Sequence, residues 1–271
     1  MQRRFQQVDV FAESGLRGNP VAVVVDGEGL TGEQMQRFAR WTNLSETTFL
    51  LPPQTDQADY RVRIFTPGME LPFAGHPTLG SCHAWLDIFG SQKTQIVQEC
   101  ESGLVPVRRD GLLWFAAPPL VRSGQVDAAD LRRIAAALRI EVDDIVAANW
   151  VDNGPGWVAV LLADAAAVLD VRPGPLDGLA IGVVGPGGDA DLEVRAFFDE
   201  GGVTIEDPVT GSLNASVAEW LVGSDRLRFP YTASQGRVIG RDGRVHLDRD
   251  ELGTIWAGGN TTTVIRGTVD L

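Results

Sequence analysis

The fold of this chain is decided by one stretch, His76-Pro77-Thr78-Leu79-Gly80-Ser81-Cys82-His83-Ala84-Trp85-Leu86-Asp87-Ile88-Phe89. Its first residues are typical of a loop that turns into a helix, and Gly90 is a natural helix end. Apolar residues surround the helix axis almost completely. Because a helix that is apolar on every side is buried on every side, the stretch predicts a helix enclosed by other elements.

A second stretch, about half a chain away, repeats part of the first. Asp207-Pro208-Val209-Thr210-Gly211-Ser212 shares proline, glycine and serine with His76-Pro77-Thr78-Leu79-Gly80-Ser81, and it opens an equally apolar helix that runs to Val222. Free N–H groups at a helix start form an anion site. The repeat predicts two anion-binding helix starts, one in each half, although ordinary helix caps would give the same pattern.

Short β-rich segments precede and follow both helices. Residues 60–65, for example, alternate apolar and charged side chains, as in a half-buried strand, and Ala117-Pro118-Pro119 is the best linker. We therefore expect an α+β protein of two similar domains, residues 1–117 and 118–271, each a mixed β-sheet curled into a barrel around a central α-helix. The last strand can pair with either domain.

Composition and charge narrow the class of function. The net charge of −13 argues against nucleic acid or an anionic membrane surface as a partner. No apolar run approaches the roughly 20 residues of a membrane span, and no signal peptide is visible, so we expect a cytoplasmic protein. Two cysteines and three scattered histidines predict no metal site. Neither a dinucleotide-binding glycine motif nor a P-loop is present, so no nucleotide cofactor is expected.

Local sequence gives an incomplete view of the chemistry. His76, at a helix start, should be neutral because the positive dipole end disfavours its charge, which suits a hydrogen-bond donor or proton shuttle; a capping histidine is the alternative. Asp207 can be a simple cap or, beside Glu206, a proton donor. Nothing local marks Glu46 as catalytic, and its position alone suggests the surface. Cys82 is expected to be a packing residue.

Several segments together resemble the phenazine-biosynthesis isomerase-like (PhzF-like) family, which shares the fold of diaminopimelate epimerase. The resemblance extends from residue 8 to about 267, and its most specific motifs are Asn43-Leu44-Ser45-Glu46-Thr47-Thr48-Phe49, Glu70-Leu71-Pro72-Phe73-Ala74-Gly75-His76-Pro77-Thr78-Leu79-Gly80 and Glu206-Asp207-Pro208-Val209-Thr210-Gly211-Ser212. It implies a homodimeric, cofactor-independent isomerase of a small carboxylate-bearing substrate, with the active site in the cleft between the domains.

The resemblance also implies roles for particular residues. Glu46 would be the acid/base, and His76 and Asp207 would be the other catalytic residues. The substrate would be bound by Gly75, Gly211 and Ser212.

Two other functions stay open. One is an amino-acid epimerase or racemase; the relatives with that activity use one cysteine at each helix start, and here neither start carries one. The other is a small-molecule binding protein without catalysis. Leu213-Asn214 departs from the Ala-His of some family members, which would alter substrate preference if this position lined the pocket.

Overall fold

A computed structural model describes residues 1–200 and 202–271 of the chain. The elements up to the middle of the chain are β1 (Gln2–Val10), β2 (Asn19–Val24), α1 (Gly32–Thr42), β3 (Glu46–Leu51), β4 (Tyr60–Phe65), β5 (Glu70–Leu71), α2 (Gly75–Phe89), β6 (Gln95–Cys100), β7 (Gly103–Asp110) and β8 (Leu112–Ala116).

The later elements follow the same mixed pattern. They are β9 (Arg122–Gln125), α3 (Ala128–Leu138), β10 (Ala147–Asp152), β11 (Trp157–Leu161), α4 (Ala165–Asp170), β12 (Ala180–Pro186), β13 (Leu192–Glu200), β14 (Val203–Asp207), α5 (Gly211–Gly223), β15 (Tyr231–Gln235), β16 (Gly243–Arg249), β17 (Ile255–Gly259) and β18 (Thr261–Asp270). Short 3₁₀ turns lie at Val142–Asp144 and Arg237–Ile239.

The chain forms two compact units. Unit 1 contains Met1–Ala116 together with Gly258–Leu271, and unit 2 contains Ala117–Ala257. The C-terminal strand β18 lies in unit 1, where it pairs antiparallel with β1 over nearly its whole length. No helix in the described part of the chain is both long and apolar enough to cross a bilayer.

The sheet of unit 1 is mixed. β1 pairs antiparallel with β2, β2 parallel with β3, and β3 antiparallel with β4. β4 then pairs antiparallel with the short β5 and parallel with β6, and β6 pairs antiparallel with β7. Helix α2 contacts β1, β2, β3, β6, β8 and β18, so the strands of unit 1 surround it.

Unit 2 repeats this order of pairing. β10 pairs antiparallel with β11, β11 parallel with β12, and β12 antiparallel with β13. β13 then pairs antiparallel with β14 and parallel with β15, and β15 pairs antiparallel with β16. Helix α5 lies between β14 and β15 in the chain, as α2 lies between β5 and β6. The prediction of an α+β fold with two similar domains, each built on a central helix, is confirmed.

The central helices are buried as their sequences predict, with one difference. Most of α2 is buried, but Asp87 and Phe89 near its end are exposed, so this helix emerges from its sheet at the last turn. In α5 every residue from Gly211 to Ala218 is buried. The two helices are therefore enclosed mainly at their first turns, where the predicted site residues lie.

The two repeated segments, residues 76–81 and 207–212, do not occupy the same position relative to their helices, contrary to the prediction. α2 begins at Gly75, so Pro77 lies inside the helix, whereas α5 begins at Gly211, so Pro208 lies before it. Asp207 is therefore the last residue of β14 and not a helix cap; the cap residue is Thr210. The structurally equivalent pairs are Gly75-His76 and Gly211-Ser212, and the proline was a misleading marker because it is tolerated both in the first helical turn and in a loop.

Candidate active site

Glu46 is the first residue of β3, where the strand leaves the turn that follows α1. It is the parallel neighbour of Val21 on β2, and its side chain is 15% exposed. The structure therefore places Glu46 in a half-buried position, not at the open surface that its local sequence suggested. A carboxylate with this exposure can reach a ligand and still be held by neighbouring groups.

His76 is the second residue of α2 and is buried, with 4% of its side chain exposed. Its Nε2 atom lies 3.3 Å from Oε2 of Glu46. Burial lowers the pKa of His76 to about 3, although a hydrogen bond to the backbone of Pro20 acts in the opposite direction. The imidazole is therefore neutral at physiological pH, and the sequence-based expectation of a neutral His76 agrees with this environment.

The contacts of His76 fix which nitrogen carries its hydrogen. Proline has no N–H, so the Pro20 backbone contact must be its carbonyl, which accepts a hydrogen from the ring. Because Nε2 faces Glu46 and makes no geometrically ideal hydrogen bond, the donor to Pro20 is Nδ1. Nε2 of the neutral ring then presents a lone pair to Glu46. It can accept a hydrogen bond from the protonated form of that carboxyl group.

The Pro20 carbonyl belongs to β2, and the turn that precedes this strand is fixed by Asp9. Oδ2 of Asp9 accepts hydrogen bonds from the backbone N–H groups of Arg17, at 3.0 Å, and Gly18, at 2.9 Å. Gly18 must be glycine for packing reasons, because a Cβ atom there would lie 2.1 Å from the Val10 carbonyl oxygen. The acceptor for His76 is therefore held in place by β1.

Asp207, in unit 2, is 8% exposed and accepts a 2.5 Å hydrogen bond at Oδ2 from the Thr210 hydroxyl. The neighbouring Glu206 is bound by both ends of the Arg195 guanidinium, at 3.0 and 2.8 Å. The negative charge of Glu206 is thus compensated by Arg195. The sequence-based idea that Glu206 would make Asp207 a proton donor has no support in this arrangement.

Ser212, the second residue of α5, is held from two sides. The indole Nε1 of Trp157 donates to its hydroxyl oxygen at 3.2 Å, and the Asn153 amide nitrogen donates to its carbonyl at 2.9 Å. An indole N–H can only donate. The Ser212 hydroxyl is therefore an acceptor towards Trp157, and its own hydrogen remains for another partner.

The two glycines predicted to bind substrate occupy equivalent places. Gly75 is the first residue of α2 and Gly211 the first residue of α5, and neither helix has a side chain that caps its N-terminus or an acidic residue in its first turn. Uncapped first turns leave N–H groups and the positive end of the helix dipole for an anion. The structure thus places Glu46, His76 and Gly75 together in unit 1, and Asp207, Gly211 and Ser212 together in unit 2.

The Cys82 thiol and the possible metal ligands can be assessed for the described residues. Cys82 is fully buried, and burial raises the pKa of its thiol to about 12, so it is not a thiolate at neutral pH. In residues 1–200 and 202–271 no cluster of three or more histidine, cysteine, aspartate or glutamate side chains is arranged to hold a metal ion.

Sequence reasoning missed several residues that support the site. Thr210, Trp157 and Gln235 contact Asp207 or Ser212, and of these three only Thr210 lies in a motif quoted above, residues 206–212. Asn214 is fully buried, and its amide donates to Thr210 and Gln235. Asn214 is thus a structural residue, and its departure from Ala-His does not by itself indicate altered substrate contacts.

Comparison with known proteins places the chain in a family. A model of the phenazine biosynthesis-like proteins matches residues 8–267. The trans-2,3-dihydro-3-hydroxyanthranilate isomerase of Pseudomonas aeruginosa is 34% identical over 92% of this chain and 91% of its own length. Antisense-enhancing sequence 1 of Schizosaccharomyces pombe is 34% identical over 98% of both chains.

A solved structure shows the same fold over the whole chain. The phenazine biosynthesis protein of the PhzF family from Enterococcus faecalis superimposes with a TM-score of 0.82 and 26% identity, and the match covers 100% of both chains. The mixed sheets around central helices and these similarities agree. The chain therefore belongs to the phenazine biosynthesis-like (PhzF-like) family of isomerases.

Proposed function

We propose that this protein is a cofactor-independent isomerase that moves a proton within a small cyclic carboxylate, with Glu46 as the acid/base. The observation that supports this most directly is the 3.3 Å contact between Oε2 of Glu46 and Nε2 of a buried, neutral His76. The substrate class follows from two relatives, from Pseudomonas aeruginosa and Pseudomonas chlororaphis, that are named trans-2,3-dihydro-3-hydroxyanthranilate isomerase.

The proposed reaction is a proton shift in two steps. Glu46 removes a proton from a carbon that conjugation makes acidic; the C–H bond breaks, and its electron pair delocalises towards the conjugated carboxylate. The protonated Glu46 then donates a hydrogen bond to the lone pair of His76 Nε2, which stabilises this acid form. Glu46 finally returns the proton at the conjugated position, so the proton count of the substrate is unchanged.

The remaining predicted residues would bind and stabilise the substrate. The N–H groups of Gly75 and Gly211 and the hydroxyl hydrogen of Ser212 suit a carboxylate and the negative charge that develops as the proton leaves. Asp207, held by Thr210, would contribute a fixed carboxylate that orients a donor group of the substrate or relays a proton. Within each unit the helix start holds its own donors in a fixed orientation, so orienting them costs little at the moment of reaction.

The test is turnover of trans-2,3-dihydro-3-hydroxyanthranilate in D₂O, followed by proton NMR. We expect the double bonds to shift and deuterium to appear at the new position. The Glu46→Gln variant should show neither change while keeping the thermal unfolding temperature of the wild type. A wild-type protein that leaves this compound unchanged would exclude it as a substrate.

The same experiment separates the two alternatives. Deuterium at a stereocentre without a double-bond shift, across a panel of amino-acid carboxylates, would indicate an epimerase. Thermal stabilisation by a carboxylate without proton exchange into any compound of the panel would indicate a binding protein.

A further inference from the structure

Gln235 is a fully buried residue at the end of β15, and its side chain makes four hydrogen bonds at the start of α5. Its Oε1 accepts from the Thr210 backbone N–H at 3.0 Å and from the Asn214 amide at 2.9 Å. Its Nε2 donates to the Asp207 carbonyl at 3.1 Å and to the Thr210 hydroxyl oxygen at 2.9 Å. One side chain thus binds both ends of the turn that follows Asp207.

The backbone partners determine the orientation of this amide. A backbone N–H can only donate, so the atom facing the Thr210 N–H must be the oxygen of Gln235. A backbone carbonyl can only accept, so the atom facing the Asp207 carbonyl must be the nitrogen. The assignment of the oxygen and the nitrogen, which is ambiguous for many amide side chains, is therefore determined for Gln235.

This orientation sets the direction of the next hydrogen bond. Because Nε2 of Gln235 donates to the Thr210 hydroxyl oxygen, the single hydroxyl hydrogen of Thr210 is left for Oδ2 of Asp207. The 2.5 Å separation of those two oxygens is in the range of a hydroxyl bound to an ionised carboxylate, roughly 2.5–2.7 Å. Hydrogen bonds therefore run in one direction, from Gln235 to Thr210 to Asp207.

We propose that Gln235 and Thr210 are positioning residues that keep Asp207 in its ionised, hydrogen-bond-accepting form. The part of this inference that concerns catalysis rests on the proposed function, in which Asp207 acts on the substrate. Through Thr210, Gln235 keeps a donor facing Oδ2 of Asp207, so protonation of that oxygen would give up this hydrogen bond and is disfavoured. The chain of donors makes Asp207 an acceptor and not a proton donor in the resting protein.

Three variants separate this directional role from simple packing. Thr210→Val keeps the shape of the side chain but removes the hydroxyl, and Thr210→Ser keeps the hydroxyl as a matched control. Gln235→Met keeps an unbranched side chain of similar length and adds no charge, but removes the Nε2 donor, so the Thr210 hydrogen can turn away from Asp207. Glu206, next to Asp207 in β14, and Arg195, next to its strand partner Ala196 in β13, stay the same in every variant.

The first readout does not need activity. Carbon-13 NMR of the carboxyl groups, with the Asp207 signal assigned from an Asp207→Asn variant, follows ionisation at this site as the pH is changed. We expect Asp207 to titrate at a pH higher by about one unit or more in Thr210→Val and Gln235→Met than in wild type and Thr210→Ser, because a donor to the ionised form is lost. If Thr210→Val does not fold, Thr210→Ala is measured in its place. Titration at the wild-type pH in the folded variants would overturn the proposal.

The second readout is steady-state kinetics with trans-2,3-dihydro-3-hydroxyanthranilate. We expect kcat to fall about 10- to 100-fold in Thr210→Val with KM changed by less than about threefold, and Thr210→Ser to restore most of kcat. Equal kcat in Thr210→Val and wild type would overturn the catalytic part. A wild-type protein that does not turn over this compound would count against the proposed function, and the NMR titration would still decide the positioning role.

Discussion

Nε2 of His76 lies 3.3 Å from Oε2 of Glu46, although the two residues come from different elements of unit 1. Glu46 is the first residue of β3 and His76 is the second residue of α2. The ring hydrogen of His76 is donated to the carbonyl of Pro20 in β2. β2, β3 and α2 thus meet at the Glu46–His76 pair. The arrangement gives Glu46 a partner that stabilises it after it has taken a proton.

The first prediction concerns Glu46 itself. Glu46→Gln keeps the size of the side chain but cannot take up a proton, so turnover of trans-2,3-dihydro-3-hydroxyanthranilate should fall by at least about 10³-fold. Glu13→Gln, an exposed glutamate of the same unit, is the matched control and should keep wild-type turnover. Initial rates by proton NMR in D₂O measure both. Residual turnover within tenfold of wild type in Glu46→Gln would assign the proton transfer to another group.

The second prediction is a pH dependence of stability that comes from His76. In the folded protein the pKa of His76 is about 3, below its ordinary value of 6.5, because burial disfavours the charged ring. The unfolded chain binds the proton first, so this residue lowers the stability as the pH falls from 6.5 towards 3. Each pH unit in this window costs about 1.4 kcal/mol.

The measurement is thermal unfolding of wild type and His76→Gln between pH 7 and pH 4. Glutamine does not titrate, so the unfolding temperature of the variant should fall less with decreasing pH than that of the wild type. Parallel curves for the two proteins would show that His76 is not buried in its neutral form.

The sequence was sufficient for the features that depend on local composition. The apolar surfaces of α2 and α5 predicted two enclosed helices, and the alternation in residues 60–65 predicted β4. The family motifs located Glu46 and His76, which local sequence alone did not mark as a pair. Their contact depends on the parallel pairing of β2 with β3, which no local pattern encodes.

The sequence was insufficient where distant strands supply the partners. Gln235 reaches Asp207 because β15 pairs in parallel with β13, which in turn pairs with β14. Trp157 reaches Ser212 from the start of β11. Pro208 suggested a helix start three residues too early, since proline is equally suited to the turn that in fact separates β14 from α5.

The third prediction concerns the hydrogen bond from Trp157 to Ser212. Trp157→Phe removes the donor that fixes the Ser212 hydroxyl, so KM for trans-2,3-dihydro-3-hydroxyanthranilate should rise about three- to tenfold with a smaller change in kcat. Ser212→Ala should raise KM at least as much. Since both act on one hydroxyl, the double variant should have the KM of Ser212→Ala alone. Additive effects in this cycle would mean that Trp157 acts by packing and not through Ser212.

The fourth prediction links packing to the site. Gly80 lies on the face of α2 that touches β2, and a Cβ atom there would lie 2.3 Å from Cγ1 of Val21. Gly80→Ala should therefore push β2 outward and destabilise unit 1 by about 1–3 kcal/mol. Because Val21 is the strand partner of Glu46, turnover should fall together with stability.

A glycine in the other central helix gives the control for this change. Gly223 ends α5 with no atom within 4 Å of an added Cβ, so Gly223→Ala should be neutral or should stabilise by up to about 1 kcal/mol. Thermal unfolding of both variants measures the difference. Adding Val21→Ala to Gly80→Ala makes room for the new methyl group, and the double variant should recover part of both the unfolding temperature and the turnover. If Gly80→Ala unfolds at the wild-type temperature, the added methyl group does not push β2 outward and this prediction is wrong.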